Sequence, residues 1–149
     1  MSIQEQLEAL GYYTIEDRVT DVQSDLIELE SVVGRLPDTY RRFAETYGVL
    51  GFEDYVYFTL PDESRVIMDV FFAVCPGDDY DIRENYEMHL DRIPDGVLPV
   101  GSDPGGNLVC ISIVGDRIGS VLFWNHETEK VIYVTDSFEG FVGSLVRDE

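Results

Sequence analysis

Leu98–Gly115 reads LPVGSDPGGNLVCISIVG. Proline and glycine punctuate a loop that runs straight into an unbroken apolar segment. If the loop cradles a phosphate, the chain handles nucleotides. If it only turns the chain, function lies on the outer surface. A phosphate loop needs Gly-Lys-Ser/Thr leading into a helix whose N-terminus faces the anion. Here a strand pattern follows, lysine is missing, and Asp103 would repel the ligand. Asp103 and Asn107 are instead expected to bond local backbone N–H groups, with glycine admitting positive φ. The loop is therefore read as a tight bend into a buried strand.

Working outward, the C-terminal half repeats that strand pattern. VLPV, NLVCISIV, GSVLFW and VIYVT follow one another, with GDR and NHETEK as hairpin loops. Upstream, YVYFTL and RVIMDVFFAV flank the short acidic turn PDES, which predicts a hairpin. The second run is apolar on both faces apart from Asp69, the mark of a central strand covered on both sides. A carboxylate there must find a partner or face solvent. Arg65 and Arg117 are candidate partners.

The remaining segments read as helices. Ile3, Leu7 and Leu10 have helical spacing and end at Gly11. Thr20 and Gln23 make a capping-box pattern before the stripe Val22, Leu26, Leu29, Val33, closed by Gly34. Pro37 suits the first position of a third helix, whose inner face is Tyr40, Phe43, Ala44 and Tyr47. Asp81 and Glu84 open a fourth, with Ile82, Tyr86, Leu90 and Ile93 as its stripe. Asp136 and Glu139 cap a last one carrying Phe138, Phe141, Val142 and Leu145. Helices, then strands, then a closing helix predict an α+β fold in a single domain over 1–149: N-terminal helices, a central mostly antiparallel sheet and a C-terminal helix.

The chain has 149 residues, enough for one enclosed core. Thirty Asp and Glu face ten Lys and Arg, a formal net charge of -20, and Lys130 is the only lysine. Such a field repels nucleic acid and anionic membrane and attracts basic partners with fast, salt-sensitive association. An acidic, lysine-poor coat also serves solubility or a salty host. No apolar run approaches the length of a membrane span. The N-terminus is acidic where a signal peptide would be basic, so a cytoplasmic protein is expected. Cys75 and Cys110 sit inside apolar runs and read as buried thiols.

No catalytic set converges in the pattern. His89 lies beside an apolar stripe and His126 in a hairpin loop, and two histidines on different elements make no metal or acid–base site. Carboxylate pairs are abundant, but they fall in hydrophilic loops where solvent screens them, unlike a shielded hydrolase dyad. A partner-binding role is assigned to these loops instead: Asp78, Asp79 and Asp81 first, then Glu53, Asp54, Asp62 and Glu63. Neither enzyme activity, a cofactor nor a metal is expected. Trp124 ends an apolar strand and reads as core.

Three segments line up in order: ELESVVGRLPDTYRRFAETYG, LPVGSDPGGNLVCISIVGDRIGSVLFWNHE and DSFEGFVGSL. Together they resemble the SUKH superfamily, which takes in bacterial immunity proteins and a fungal cell-wall-synthesis regulator. The resemblance spans roughly Asp21 to Val146. Glu30 matches the acidic residue near the end of the family's first helix, and Leu36, Pro37 and Tyr40 its next helix start. Pro99, Gly101, Gly106 and Asn107 match its glycine loop. Gly119, Val121, Trp124, His126 and Glu127 match a strand and turn, and Ser137, Phe138 and Phe141 the closing helix. Where many members carry Asn-Gly-Gly after the early helix, this chain has TYGVLG. Residues 1–19 lie outside the resemblance, as an extra helical segment. The resemblance implies a non-enzymatic protein that binds and neutralises a cognate toxin, often a nuclease, whose basic cleft an acidic protein would complement. It equally allows a regulatory or scaffolding module with no toxin partner.

Overall fold

The computed structural model describes residues 2–147. Two helices and a strand open the chain: α1 (Ile3–Leu10), β1 (Tyr12–Glu16) and α2 (Val22–Val33). Ser2 and Glu5 form a reciprocal capping box at α1, and Gly11 ends it in the left-handed conformation. The opening segment is thus not wholly helical. Tyr12–Glu16 pairs antiparallel with β2 (Val49–Phe52) and forms one edge of the main sheet. It escapes a reading by alternation because four of its five residues are exposed.

α3 (Asp38–Thr46) begins just after Pro37, whose carbonyl accepts the first helical bond from Arg41 N–H at 2.8 Å. Next come β3 (Val56–Thr59), β4 (Arg65–Ile67), β5 (Val70–Phe71) and α4 (Ile82–Met88). The last described elements are β6 (Val97–Ser102), β7 (Leu108–Ser112), β8 (Val121–Trp124), β9 (Val131–Thr135), α5 (Phe138–Ser144) and β10 (Val146–Arg147). The main sheet has seven antiparallel strands in the order β1-β2-β5-β6-β7-β8-β9, and a second sheet has the order β10-β3-β4. The α+β architecture read from the sequence is the one observed.

Aromatic side chains fill one face of the main sheet. Phe71 lies 5.4 Å from Phe43 of α3 and 6.0 Å from Phe138 of α5, ring centroid to centroid. Phe58 of the small sheet meets Phe141 at 5.1 Å and Phe123 of β8 at 5.8 Å, so both sheets share this core. Phe123 and Trp124 are consecutive in a strand and point to opposite faces. Trp124, 1% exposed, packs edge-on to His89 at 5.9 Å, and the Arg92 guanidinium lies 5.0 Å over its ring. α4 and the turns after it thereby close the second face.

Several local expectations are corrected. The RVIMDVFFAV run is not one central strand. It breaks at Met68–Asp69, and β4 joins the small sheet while β5 joins the large one. α2 starts at Val22 after Asp21 with no side-chain cap, so the Thr20–Gln23 box does not form. α5 is capped by Ser137, whose Oγ accepts from Gly140 N–H at 2.9 Å, not by Asp136. In α4 the inner position after Ile82 belongs to buried Asn85, which donates to the carbonyls of Asp79 and Asp81, while Leu90 is exposed.

Candidate interaction surface

The loop of residues 102–107 spends its polar groups on itself. Asp103 Oδ1 accepts from the N–H groups of Gly105 and Asn107 at 2.9 and 2.8 Å, and its Oδ2 accepts from Asn107 Nδ2 at 2.9 Å. Asn107 Oδ1 in turn accepts from His126 N–H at 3.0 Å, which staples the loop to the β8–β9 turn. Gly106 has φ +90°, a conformation that excludes most side chains. Gly101 is required for a different reason. A Cβ there would fall 2.5 Å from Met68 Cε and 2.6 Å from the Val70 carbonyl oxygen.

The other signature residues are equally structural. Glu30 Oε2 accepts from Leu36 N–H at 2.9 Å and its Oε1 from Arg41 Nε at 3.0 Å, which fixes the α2–α3 turn. Arg41 also pairs with Glu45. Leu36, Tyr40, Phe138 and Phe141 are all buried. His89 packs on Trp124 and holds the Asn85 carbonyl with Nδ1 at 2.8 Å, and the His126 carbonyl accepts from Arg92. The His89 ring packs on Trp124, and the His126 backbone carbonyl holds the Arg92 guanidinium that lies over the same ring. Among the described residues, no group of three or more His, Cys, Asp or Glu is arranged to hold a metal ion.

The acidic residues divide into two groups. Asp81 is 3% exposed. Its Oδ1 accepts from Cys75 N–H at 2.8 Å and its Oδ2 from Glu84 N–H at 3.0 Å. It is therefore the buried cap of α4 and presents no charge to a partner, a correction to its assignment above. Asp78 is half-buried and accepts from Tyr80 N–H at 2.9 Å, leaving Asp79 as the exposed carboxylate of that loop. A groove of about 440 Å³ lies between α2 and α4, with Leu29, Val74, Asp81 and Ile82 among its lining and Asp25, Glu28, Glu84 and Glu87 at its rim. Arg83 lies in this groove with Nε 2.9 Å from Glu87 and Nη1 3.6 Å from Glu28.

The second group gathers where the chain passes between the two sheets. Residues 52–56 lead out of the main sheet into β3, and residues 67–70 lead back from β4 into β5. These crossovers run antiparallel and touch, with Met68 N–H donating to the Val56 carbonyl at 2.8 Å. The seam between them is a cleft of about 290 Å³ lined by Phe52, Glu53, Asp54, Tyr55, Val56 and Ile67–Asp69. Asp62 and Glu63 are exposed at the tip of the β3–β4 hairpin. Asp69 is also exposed and pairs with neither expected arginine. Arg65 lies 4.0 Å over the Tyr57 ring and Arg117 4.1 Å over the Tyr133 ring. Partial burial, and then the nearby Asp103 carboxylate, raise the Asp69 pKa above the ordinary carboxylate value. Tyr55, 64% exposed, was not singled out in the sequence. Val56 and Phe58 are buried, so alternation alone places Tyr55 on the outward side.

Comparison with known proteins places this scaffold. The SUKH_6 family model, described as SMI1-KNR4 cell-wall, matches residues 23–142. The chain belongs to the SUKH superfamily. This SUKH protein is also 28% identical over 150 aligned positions to the SPbeta prophage-derived uncharacterized protein YokK of Bacillus subtilis (strain 168), covering 86% of this chain and 76% of the relative. The family includes bacterial immunity proteins and the SMI1/KNR4 members. Its matched region carries most of the core, while β1 and α1, with buried Leu7 and Leu10, lie outside it. Among the described residues no helix is long and apolar enough to cross a membrane.

Proposed function

We propose that this SUKH protein is a non-enzymatic, immunity-type protein that binds a basic protein partner, a toxin domain such as a nuclease, and blocks it through an acidic surface. The observation that carries the reading is the combination of family membership with a formal charge of -20 whose exposed carboxylates gather at clefts rather than in a shielded dyad. Complementary fields accelerate encounter and orient the pair, and they do so without chemistry on the acidic side. The ring of His89 packs against Trp124 and the glycine loop bonds to itself and to the His126 backbone, which supports a role for these residues in the scaffold.

The test is purification of the tagged protein from a strain carrying its native locus. The co-purifying protein is then assayed for activity against increasing amounts of this chain. Loss of the partner's activity at equimolar ratio, with association slowing as salt rises, is the expected result. The description SMI1-KNR4 cell-wall favours one second reading, a regulatory scaffold. In that case the bound partner keeps its activity. Intrinsic hydrolase activity in the purified chain would overturn both.

A further inference from the structure

The seam cleft and the α2–α4 groove are both acidic, but they differ in one respect. The groove already contains a cation, Arg83, shared by Glu28 and Glu87. The seam cleft is lined by Glu53, Asp54 and Asp69 with no arginine or lysine among its lining residues. Arg65 stacks on the Tyr57 ring, 6.4 Å from the ring of Tyr55, and Arg117 stacks on Tyr133, so neither arginine lines the cleft. Asp69 N–H donates to the carbonyl of Ser102 at 3.0 Å, next to Asp103, whose carboxylate is itself committed to the 102–107 loop.

The rest of the lining is apolar. Phe52, Val56, Ile67 and Met68 form the walls, and Tyr55 stands at the mouth with most of its ring exposed. A flat aromatic ring beside carboxylates suits a guanidinium, which stacks on the ring while its N–H fork meets the oxygens. The stem of the same side chain lies against apolar walls. Exposed tyrosine and arginine partners are also the residue types that dominate binding energy at protein interfaces.

We propose that the seam cleft receives a single cationic side chain, an arginine in first place, from a loop of the protein partner, with Glu53, Asp54 and Asp69 as its counter-charges and the Tyr55 ring as its stacking surface. The proposal rests on the immunity-type reading for the existence of a basic partner, and it adds the site and the recognised group. The bound cation supplies a counter-charge that, among the described residues, no ion pair gives Asp69. Arginine at this point would anchor the complex, while the wider acidic coat steers the approach.

The test uses the whole folded chain and needs no toxin. The tripeptide acetyl-Gly-Arg-Gly-amide is titrated into the isotope-labelled protein at moderate salt, with the neutral acetyl-Gly-citrulline-Gly-amide as control, and amide and carboxyl NMR signals are followed. Saturable shifts at residues 53–56 and 67–69 with the arginine peptide alone are expected. The midpoint of the Asp69 carboxyl should fall toward the ordinary range as the peptide binds. The Asp54→Asn/Asp69→Asn variant should weaken binding at least tenfold, and Tyr55→Ala should weaken it less. Unmoved signals in the remote strands β7 and β8 verify that these exposed substitutions leave the fold intact. Non-saturable shifts scattered over many carboxylates, equal response to citrulline, or undiminished binding by the double variant would each overturn the proposal. Because the probe is a peptide, failure here leaves the immunity-type reading standing, and failure to find a toxin leaves the seam site standing.

Discussion

The block β6–β8 and the seam between the sheets are built from similarly apolar sequence, yet they behave differently. In β7 and β8 every residue is buried, and each strand pairs on both sides. In the seam the strands shrink to the three residues of β4 and the two of β5, and the chain changes sheets at Asp69. Continuous ladders satisfy the backbone of the first region, whereas the seam relies on single bonds such as Asp69 N–H to the Ser102 carbonyl at 3.0 Å. Burial and strand pairing are thus separable. Met68 and Phe72 are buried although they belong to neither strand, which keeps the run apolar across the break.

The largest expected effect lies in the block and its covering helix. Phe141 is fully buried and touches both sheets through Phe58 and Phe71. Phe141→Ala and Trp124→Ala should each cost about 3–5 kcal/mol in urea denaturation. That is a large share of a typical stability of roughly 5–15 kcal/mol. Tyr55→Ala at the seam should stay within about 0.5 kcal/mol. Equal losses would mean that the seam is core and the contrast false.

A middle-sized effect separates two neighbouring carboxylates. Asp81→Ala removes the acceptor of both Cys75 N–H and Glu84 N–H in a buried setting, and should cost about 2 kcal/mol. Asp79→Asn, on the exposed residue two positions earlier, should leave the denaturation midpoint unchanged. If Asp79→Asn slows association with the co-purified partner at low salt, the 78–79 loop belongs to the acidic steering surface.

These contrasts explain what the sequence made legible. Strands buried on both faces announce themselves by composition, so β6, β7 and β8 were found, and Asp103 and Asn107 matched the turn chemistry they perform. The helical stripes were legible where the apolar face is wide, as in α3. Caps were less so: Thr20–Gln23 and Asp136 fit the pattern as well as the residues actually used, because capping depends on where the backbone enters the helix. The exposed edge β1 carried no burial signal. The break at Asp69 was hidden because its neighbours remain buried. A charged residue inside an apolar run was the available clue, and it marked a change of sheet rather than a buried ion pair. Among the acidic loops, sequence could not separate Asp81 from Asp79, since only the folded chain aims one inward.

The smallest effect is the sharpest test of the seam. Burial and the Asp103 carboxylate raise the Asp69 pKa in the folded state, whereas the unfolded chain titrates near the ordinary value of about 3.9. Between those two values the folded state holds more proton than the unfolded state, so stability falls as pH rises through this window. Below the unfolded value both states are protonated and the full contribution of Asp69 is present. Above the folded value both are ionised and the contribution is lost. Asp69→Asn cannot ionise and lacks this decline. The difference in melting temperature, variant minus wild type, should therefore rise with pH across the acidic range and then stay level toward neutrality. The expected shift is smaller than either preceding effect, because Asp69 is exposed and solvent screens much of the repulsion. A difference that instead fell with increasing pH would mean that the Asp69 carboxylate is stabilised within its own chain. The seam would then hold a cation partner already, and the contrast with the Arg83 groove would vanish.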